Sequence, residues 1–337
     1  MIKNIIYSCI YYSGVFSLWL YFNRKKVNIL MLHGVVDDAS KTWLPMWRRD
    51  YSSRLDSRMA RLSRHYDFVD LDQAVEILKG NVVPKRNTMV VTFDDGYRNN
   101  IDIAAPILKK YNIPSTIFIA TAYITQQKPF IIDRLDYALQ SLKSGIHEFV
   151  VDGHKIEVDA TSRESLARFY DHYRKKFCTR FDNDMSANEN MEKFAQLLEE
   201  KTGKSINDLF KGDTWSDVLE WECIEKSASD LVGFESHTVD HYRLANLEYS
   251  EVIEQLKNSR DEIKAKIGKT SEFICYPVGS YDDDVIRASK ECGYKAGVTT
   301  KPGLNEAGCD LFTLKRMPFP GGGSEIANLI YLSGMTL

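Results

Sequence analysis

Thr88-Met89-Val90-Val91-Thr92-Phe93-Asp94-Asp95-Gly96 is the stretch that decides how this chain is read. Six β-branched or apolar residues make a run of the length of a buried strand, bounded by Pro84 before it and by two carboxylates and a glycine after it. Adjacent residues of an extended strand point to opposite faces, so a sharp turn at Gly96 is needed to bring both carboxylates to one rim.

The pattern repeats outward from there. Residues 27–33 are an apolar run ending in His33, and residues 115–120 form another strand, entered after Pro114. Further on, residues 231–236 end at Ser236-His237, residues 273–276 run into Pro277, and 294–299 and 314–320 close the chain. Helical stretches lie between: Leu55, Met59 and Leu62 on one face, then 71–78, 103–111, 249–267 and 282–292. Strands alternating with helices predict a parallel sheet or barrel. In such folds the strands' C-terminal ends converge on one rim. An Asp-Asp-Gly alone is an ordinary turn, and a His-x-x-x-His alone is an ordinary helix-surface pair. His33, Asp94-Asp95, Ser236-His237 and Tyr276-Pro277, all at strand ends, point together to one shared site.

From about 125 to 213 the rhythm changes. A helix is expected over 130–143, a hairpin over 149–158 turning at Asp152-Gly153, and charged amphipathic helices over 163–176 and 189–201. His147, His154 and His172 stand here, and His65 earlier, without metal-ligand spacing. This block reads as an insertion that covers or edges the site.

Composition bounds the partners. The chain has 337 residues, 44% hydrophobic and 27% charged, with a formal net charge of -3. That balance supplies no drive toward nucleic acid and suits a ligand bound through hydroxyls and amides. Six scattered cysteines without a C-x-x-C pair suggest neither a zinc knuckle nor a disulfide framework, and fit a reducing compartment. Residues 1–26 differ from the rest: 5–22 carry no charge, are rich in tyrosine and isoleucine, and lead into Arg24-Lys25-Lys26. Interrupted by serines and borderline in length for a span, they read as a membrane-associated helix at the bilayer surface, with packing on the domain as the alternative. The basic flank places the rest of the chain on the cytoplasmic side if the segment spans.

Two imidazoles and one carboxylate make a competent ligand set for a borderline divalent metal. His237 and His241 are four apart, so a helical turn after the strand would bring both rings to one face. A second carboxylate beside the metal is then free to take a proton from water.

Thr92-Phe93-Asp94-Asp95-Gly96, Ser236-His237-Thr238-Val239-Asp240-His241 and Tyr276-Pro277-Val278-Gly279 together resemble the signature motifs of the polysaccharide deacetylases, the NodB-homology group of carbohydrate esterase family 4. The resemblance runs in order from about residue 27 to 320. It implies an α/β fold, an irregular (β/α)7-type barrel with a mostly helical insertion. It implies Asp94 as general base, and Asp95, His237 and His241 as ligands of a divalent ion, most often Zn2+, with Co2+ or Ni2+ as alternatives. Tyr276, Pro277 and Val278 would lie against substrate, with a backbone N–H near Val278 holding the oxyanion.

Two positions depart from that pattern. The arginine expected two residues before Pro277 is Cys275, and Arg316, on the substrate side of a late strand end, is the candidate substitute beside a plain ion-pair or surface role. The family's closing Leu-x-His is absent, since no histidine follows His241. Leu30-Met31-Leu32-His33 has the look of that motif displaced to the N-terminus, as in the permuted branch resembling the poly-N-acetylglucosamine deacetylases. The first and last strands of a closed barrel are neighbours, so His33 could serve as general acid; the alternative is a buried core histidine. The implied reaction removes N-acetyl groups from a GlcNAc-like residue of a surface polysaccharide or its lipid-linked precursor. An O-acetyl esterase acting on a glycan and a non-catalytic glycan-binding barrel are the competing readings. A serine or cysteine hydrolase has no Gly-x-Ser-x-Gly to support it.

Overall fold

The computed structural model describes residues 2–39, 43–46, 50–174 and 184–335. Eight strands build its main sheet: β1 (Val27–Leu32), β2 (Tyr66–Phe68), β3 (Asn87–Phe93), β4 (Ser115–Ile119), β5 (Val232–Ser236), β6 (Phe273–Cys275), β7 (Ala296–Val298) and β8 (Met317–Pro318). Every pairing within it is parallel. Seven strands follow one another in the order β7-β6-β5-β4-β3-β1-β8, and β2 lies beside the start of β3. The sheet curls back on itself at the segment 314–318. Leu30 pairs with Met317 on one side, and Val298 bridges Leu314 on the other, where Thr299 N donates to the Leu314 carbonyl at 2.8 Å. The (β/α)-barrel expectation holds.

Strands buried on both faces need apolar side chains on both, and β1 and β3 supply them; Asn87 alone of these is not buried. Helices cover the outside. Leu55, Met59 and Leu62 bury one face of Ser52–Leu62, and Asp70 caps Leu71–Leu78 by accepting from Gln73 N at 2.8 Å. The helix expected over 103–111 begins earlier, as a π-turn at Asn100–Ala104 that continues into Ala105–Lys110.

Register is what positions the site. Leu32 lies opposite Phe93, and Ile119 opposite Ser236, which in turn faces Ile274. His33, Asp94 and His237 therefore leave the sheet at the same level.

The middle of the chain folds around a core of its own, including Leu135, Phe149, Val158, Tyr170, Phe194 and Leu198. The helices are Ile131–Gln140, Arg163–His172 and Asp184–Thr202, and the hairpin is Ile146–Val151 with His154–Asp159. Its turn falls at Asp152 (φ 47°) and Gly153 (φ 78°), as the sequence predicts for a two-residue loop with both φ angles positive. Of the helix expected over 163–176, positions 175 and 176 lie outside the described residues. Cys178 does too, and the other five cysteines are free.

The N-terminal segment is a correction. In place of one helix there are two, α1 (Ile2–Tyr12) and α2 (Val15–Asn23), with a 68° bend between them at Ser13 and Gly14 (φ 87°). Trp19 Nε1 donates to the Ser333 carbonyl at 3.0 Å, next to the C-terminal helix Glu325–Leu332, and Phe16 and Leu20 are buried. No single described helix is long and apolar enough to cross a membrane.

Candidate active site

The rim at the C-terminal ends of the strands holds an unusual backbone. Among the described residues seven non-glycine positions have positive φ, and four of them meet here: Asp95 (78°), Thr238 (67°), His241 (59°) and Val278 (57°). Such conformations persist only where surrounding bonds over-determine them. Gly96 (φ 83°) completes the turn after β3, and a Cβ there would stand 2.9 Å from Ile119 Cγ2. The stretch between His237 and His241 is not the helical turn the sequence spacing suggests. It is a loop that reverses at Thr238 and His241, and the bonds holding it are explicit. Thr238 N donates to Ser236 Oγ at 3.1 Å, and His241 N to Thr238 Oγ1 at 3.1 Å. Gln255 Oε1 accepts from Val239 N at 3.2 Å and Asp240 N at 2.9 Å.

This loop brings His237 Nε2 to 3.4 Å and His241 Nε2 to 3.3 Å from Asp95 Oδ1. On the far side of its ring, His237 Nδ1 stands 2.7 Å from the Cys275 carbonyl. A carbonyl can only accept, so the Nδ1 carries the proton, and Nε2, which faces Asp95, is the nitrogen that a neutral ring offers to a cation. Two imidazole nitrogens and a carboxylate oxygen, all within 4.8 Å of one another, fit a divalent cation by both donor chemistry and tautomer. Asp94, His237 and Cys275 also converge within that distance. They fit less well, because both Asp94 oxygens are taken and burial pushes the Cys275 thiol up, leaving it protonated.

Asp94 is held by Arg316. The guanidinium donates to both carboxylate oxygens at 2.7 and 2.8 Å, and to Thr92 Oγ1 at 3.0 Å, the Thr299 carbonyl at 2.8 Å and Cys275 Sγ at 3.2 Å. Burial alone would raise the Asp94 carboxyl, but the charge and hydrogen bonds of Arg316 outweigh it and hold the group at about 2. Asp95 follows the same logic: burial raises it, and the hydrogen bonds from His237 and His241 bring it well below the usual carboxylate range.

These contacts correct the expected substrate side. Arg316 is 0% exposed and spends its donors on the protein, so it positions Asp94 and does not reach substrate. Tyr276 is equally buried, stacked on Tyr281 at 5.3 Å with its ring against Gly297, and Pro277 is buried beside it. Of the four, only Val278, 54% exposed, reaches the mouth of the cleft.

That cleft, about 440 Å³, is lined by His33, Asp94, Asp95, His237, His241 and Val278, with Ile132, Asp171 and Arg174 contributed by the insertion. His33 is half-buried, with Nε2 4.0 Å from Asp94 Oδ2. Its backbone is fixed by Asn100, whose Nδ2 donates to the His33 carbonyl at 2.6 Å. Neither Asn100 nor the buried trio of Tyr97, Asp133 and Trp215 was anticipated from sequence. Tyr97 Oη and Trp215 Nε1 donate to Asp133 at 2.7 and 3.0 Å, and burial raises the Asp133 carboxyl to about 7. No motif marks these residues, because their partners come from distant loops. His65 and His147 stand outside the cleft, one edge-on to Phe16 and the other on the Lys143 carbonyl.

Comparison with known proteins agrees with this arrangement. A family model described as "Polysaccharide deacetylase" matches residues 81–210 and 174–297, together more than half of the chain. The Bacillus subtilis (strain 168) protein named "Putative polysaccharide deacetylase YxkH" is 23% identical over 321 residues, covering 95% of this chain and 81% of its own. Solved structures share the fold. The Streptococcus pyogenes deacetylase PplD in complex with acetate has TM-score 0.59 at 18% identity, covering 93% of this chain and 99% of its own. IcaB from Ammonifex degensii has TM-score 0.57 at 14% identity, covering 92% and 97%. With a matching family model, a curled parallel barrel and the motif residues gathered on its rim, the chain belongs to the polysaccharide deacetylase family, hydrolases of amide bonds on polysaccharides.

Proposed function

We propose that the protein removes N-acetyl groups from a GlcNAc-like residue of a surface polysaccharide or its lipid-linked precursor. What carries this reading is the pairing of an Arg316-clamped Asp94 with the Asp95, His237 and His241 donor set in one cleft. Asp95, His237 and His241 would hold a divalent ion, zinc by donor chemistry with cobalt or nickel as substitutes, which would supply Lewis acidity toward the acetyl carbonyl and the attacking water. Asp94 stays ionised at every working pH, and the bidentate clamp fixes which way its oxygens face. It takes the proton as the water oxygen bonds to the acetyl carbon. A carboxyl held near 2 is a weak base that releases the proton readily afterwards. An amine cannot leave as an anion. His33, in the same cleft, therefore protonates the nitrogen as the carbon–nitrogen bond breaks, giving acetate and a free amine. The backbone N–H of Val278, a residue that lines the cleft, is the candidate oxyanion donor.

The test is acetate release from N-acetylglucosamine oligomers by the full chain, after chelation and again after adding zinc, cobalt or nickel, with Asp94→Asn alongside. Metal-restored release that Asp94→Asn abolishes is the expected result. Release that survives chelation and the substitution would overturn the mechanism.

A further inference from the structure

The two helices before β1 are apolar on both sides. Inward, Phe16 and Leu20 of α2 are buried, and Tyr7, Ile10 and Tyr11 of α1 pack on the same core. Outward, Val15, Leu18 and Phe22 fall at i, i+3 and i+7 of α2, and Ile5, Cys9 and Tyr12 at i, i+4 and i+7 of α1. All six are exposed, Phe22 to 72% and Tyr12 to 77%. A helix lying on a water-facing surface normally turns charge outward, and these stripes carry none. Seven of the thirteen exposed large hydrophobics among the described residues lie between Ile5 and Phe22, so the exposure is concentrated in one patch.

Charge selects the occupant. Residues 1–36 contain no aspartate or glutamate, while Arg24, Lys25 and Lys26 follow the apolar stripe directly. Lys26 is engaged by Glu306 at 3.1 Å, Lys25 is exposed, and the Arg24 guanidinium lies 4.2 Å over the Tyr21 ring. A second copy of the chain docked here would set this acid-free patch against itself, whereas an anionic bilayer would complement it. Tyr12 and Tyr21, both exposed, add rings with an apolar body and a polar tip, suited to headgroup depth. The bend sets the depth. Helices of 11 and 9 residues turned by 68° cannot run straight through hydrocarbon that takes about 20 helical residues to cross.

We propose that α1 and α2 form a monotopic docking surface that seats the barrel on an anionic lipid bilayer. The outward stripes lie in the acyl boundary, and Arg24 and Lys25 face the lipid phosphates. β1, whose six residues span about 20 Å at 3.3 Å per residue, runs from the basic cluster after α2 to His33. The cleft therefore meets what stands off the bilayer.

The purified full chain is pelleted with vesicles of phosphatidylcholine alone and of phosphatidylcholine with phosphatidylglycerol. The chain should pellet with the anionic vesicles and be released as salt rises. Leu18→Asp with Phe22→Asp should lower the partition at least about tenfold while the unfolding temperature stays unchanged. If that pair unfolds the chain, Leu18→Ser with Phe22→Ser replaces it. On vesicles, amide exchange should slow over 5–23 and stay constant over 276–281. Three results overturn the proposal: a wild type that stays in the supernatant, pelleting that the double variant does not change, or a dimer by light scattering that the same variant splits. Resistance to carbonate extraction would overturn it too, in favour of a span.

Discussion

The rim and the α1–α2 pair break the ordinary partition of side chains in opposite directions. At the rim, Asp94, Asp95, His237 and Arg316 are charged or titratable and almost wholly buried. On α1 and α2, isoleucine, leucine, phenylalanine and tyrosine stand in the open. Burying a charge is costly unless it is paired, and the rim answers that cost internally, with five donor contacts from Arg316 and a backbone carbonyl behind His237. The outward stripes of α1 and α2 have no such internal answer. The first exception is satisfied within the fold, and the second is what the proposed bilayer docking would cover.

The largest effects should come from the rim. Asp95→Ala or His237→Ala should leave the purified chain with almost no bound divalent metal by elemental analysis, and should lower acetate release by ~10³-fold or more, the upper range for losing one electrostatic donor. Full metal content in either variant would remove that residue from the ligand set.

Arg316→Met tests whether the buried charges are answered as argued. Leaving Asp94 buried without its partner should cost ~3–5 kcal/mol in urea unfolding at neutral pH. The pH dependence gives the second readout. The folded-state carboxyl of Asp94 lies below its ordinary value, so this stabilisation is present at neutral pH and fades as pH falls from about 4 through 2. In Arg316→Met that acid-labile part should be gone, and the acid limb of the activity profile should move to higher pH. An unchanged acid limb would mean that Arg316 is packing and nothing more.

His33→Gln separates its two readings. An acid for the leaving amine should cost ~10²–10⁴-fold on an N-acetyl substrate and far less on an O-acetyl ester, whose alcohol leaves without as much help. Equal losses on both substrates would return His33 to a structural role.

How much of this could be read without coordinates follows the same divide. Strands and their polar ends were legible because period and apolar runs are local signals, and the register placing Leu32 opposite Phe93 turned those ends into one rim. The hairpin turn at Asp152-Gly153 was legible for a similar reason, since the two residues dictate the turn themselves. The loop from His237 to His241 was misread as helical because the four-residue spacing is equally compatible with a loop fixed by Gln255 and Ser236, neither adjacent to His241. Arg316 stands out in sequence as a replacement for the arginine missing at Cys275, yet its full burial depends on β8 closing against β1, a contact between Leu30 and Met317 at opposite ends of the chain. Asn100 and Asp133 were invisible because a side chain's distant partner leaves no mark on its neighbours.

The smallest effects should come from α2, where one helix carries both kinds of apolar residue. Phe16 is buried against the barrel and edge-on to His65 at 5.6 Å, so Phe16→Ala should open a cavity and cost ~3 kcal/mol or more. Leu18, two residues on, is a large apolar side chain with the opposite prospect: it is 56% exposed, so Leu18→Ser should change urea unfolding by less than about 0.5 kcal/mol. A substitution so cheap in solution means that folding does not account for a leucine there. If Leu18→Ser instead costs as much as Phe16→Ala, the outward stripe is covered by protein in solution, and the contrast between an internally answered rim and an open surface fails at this helix.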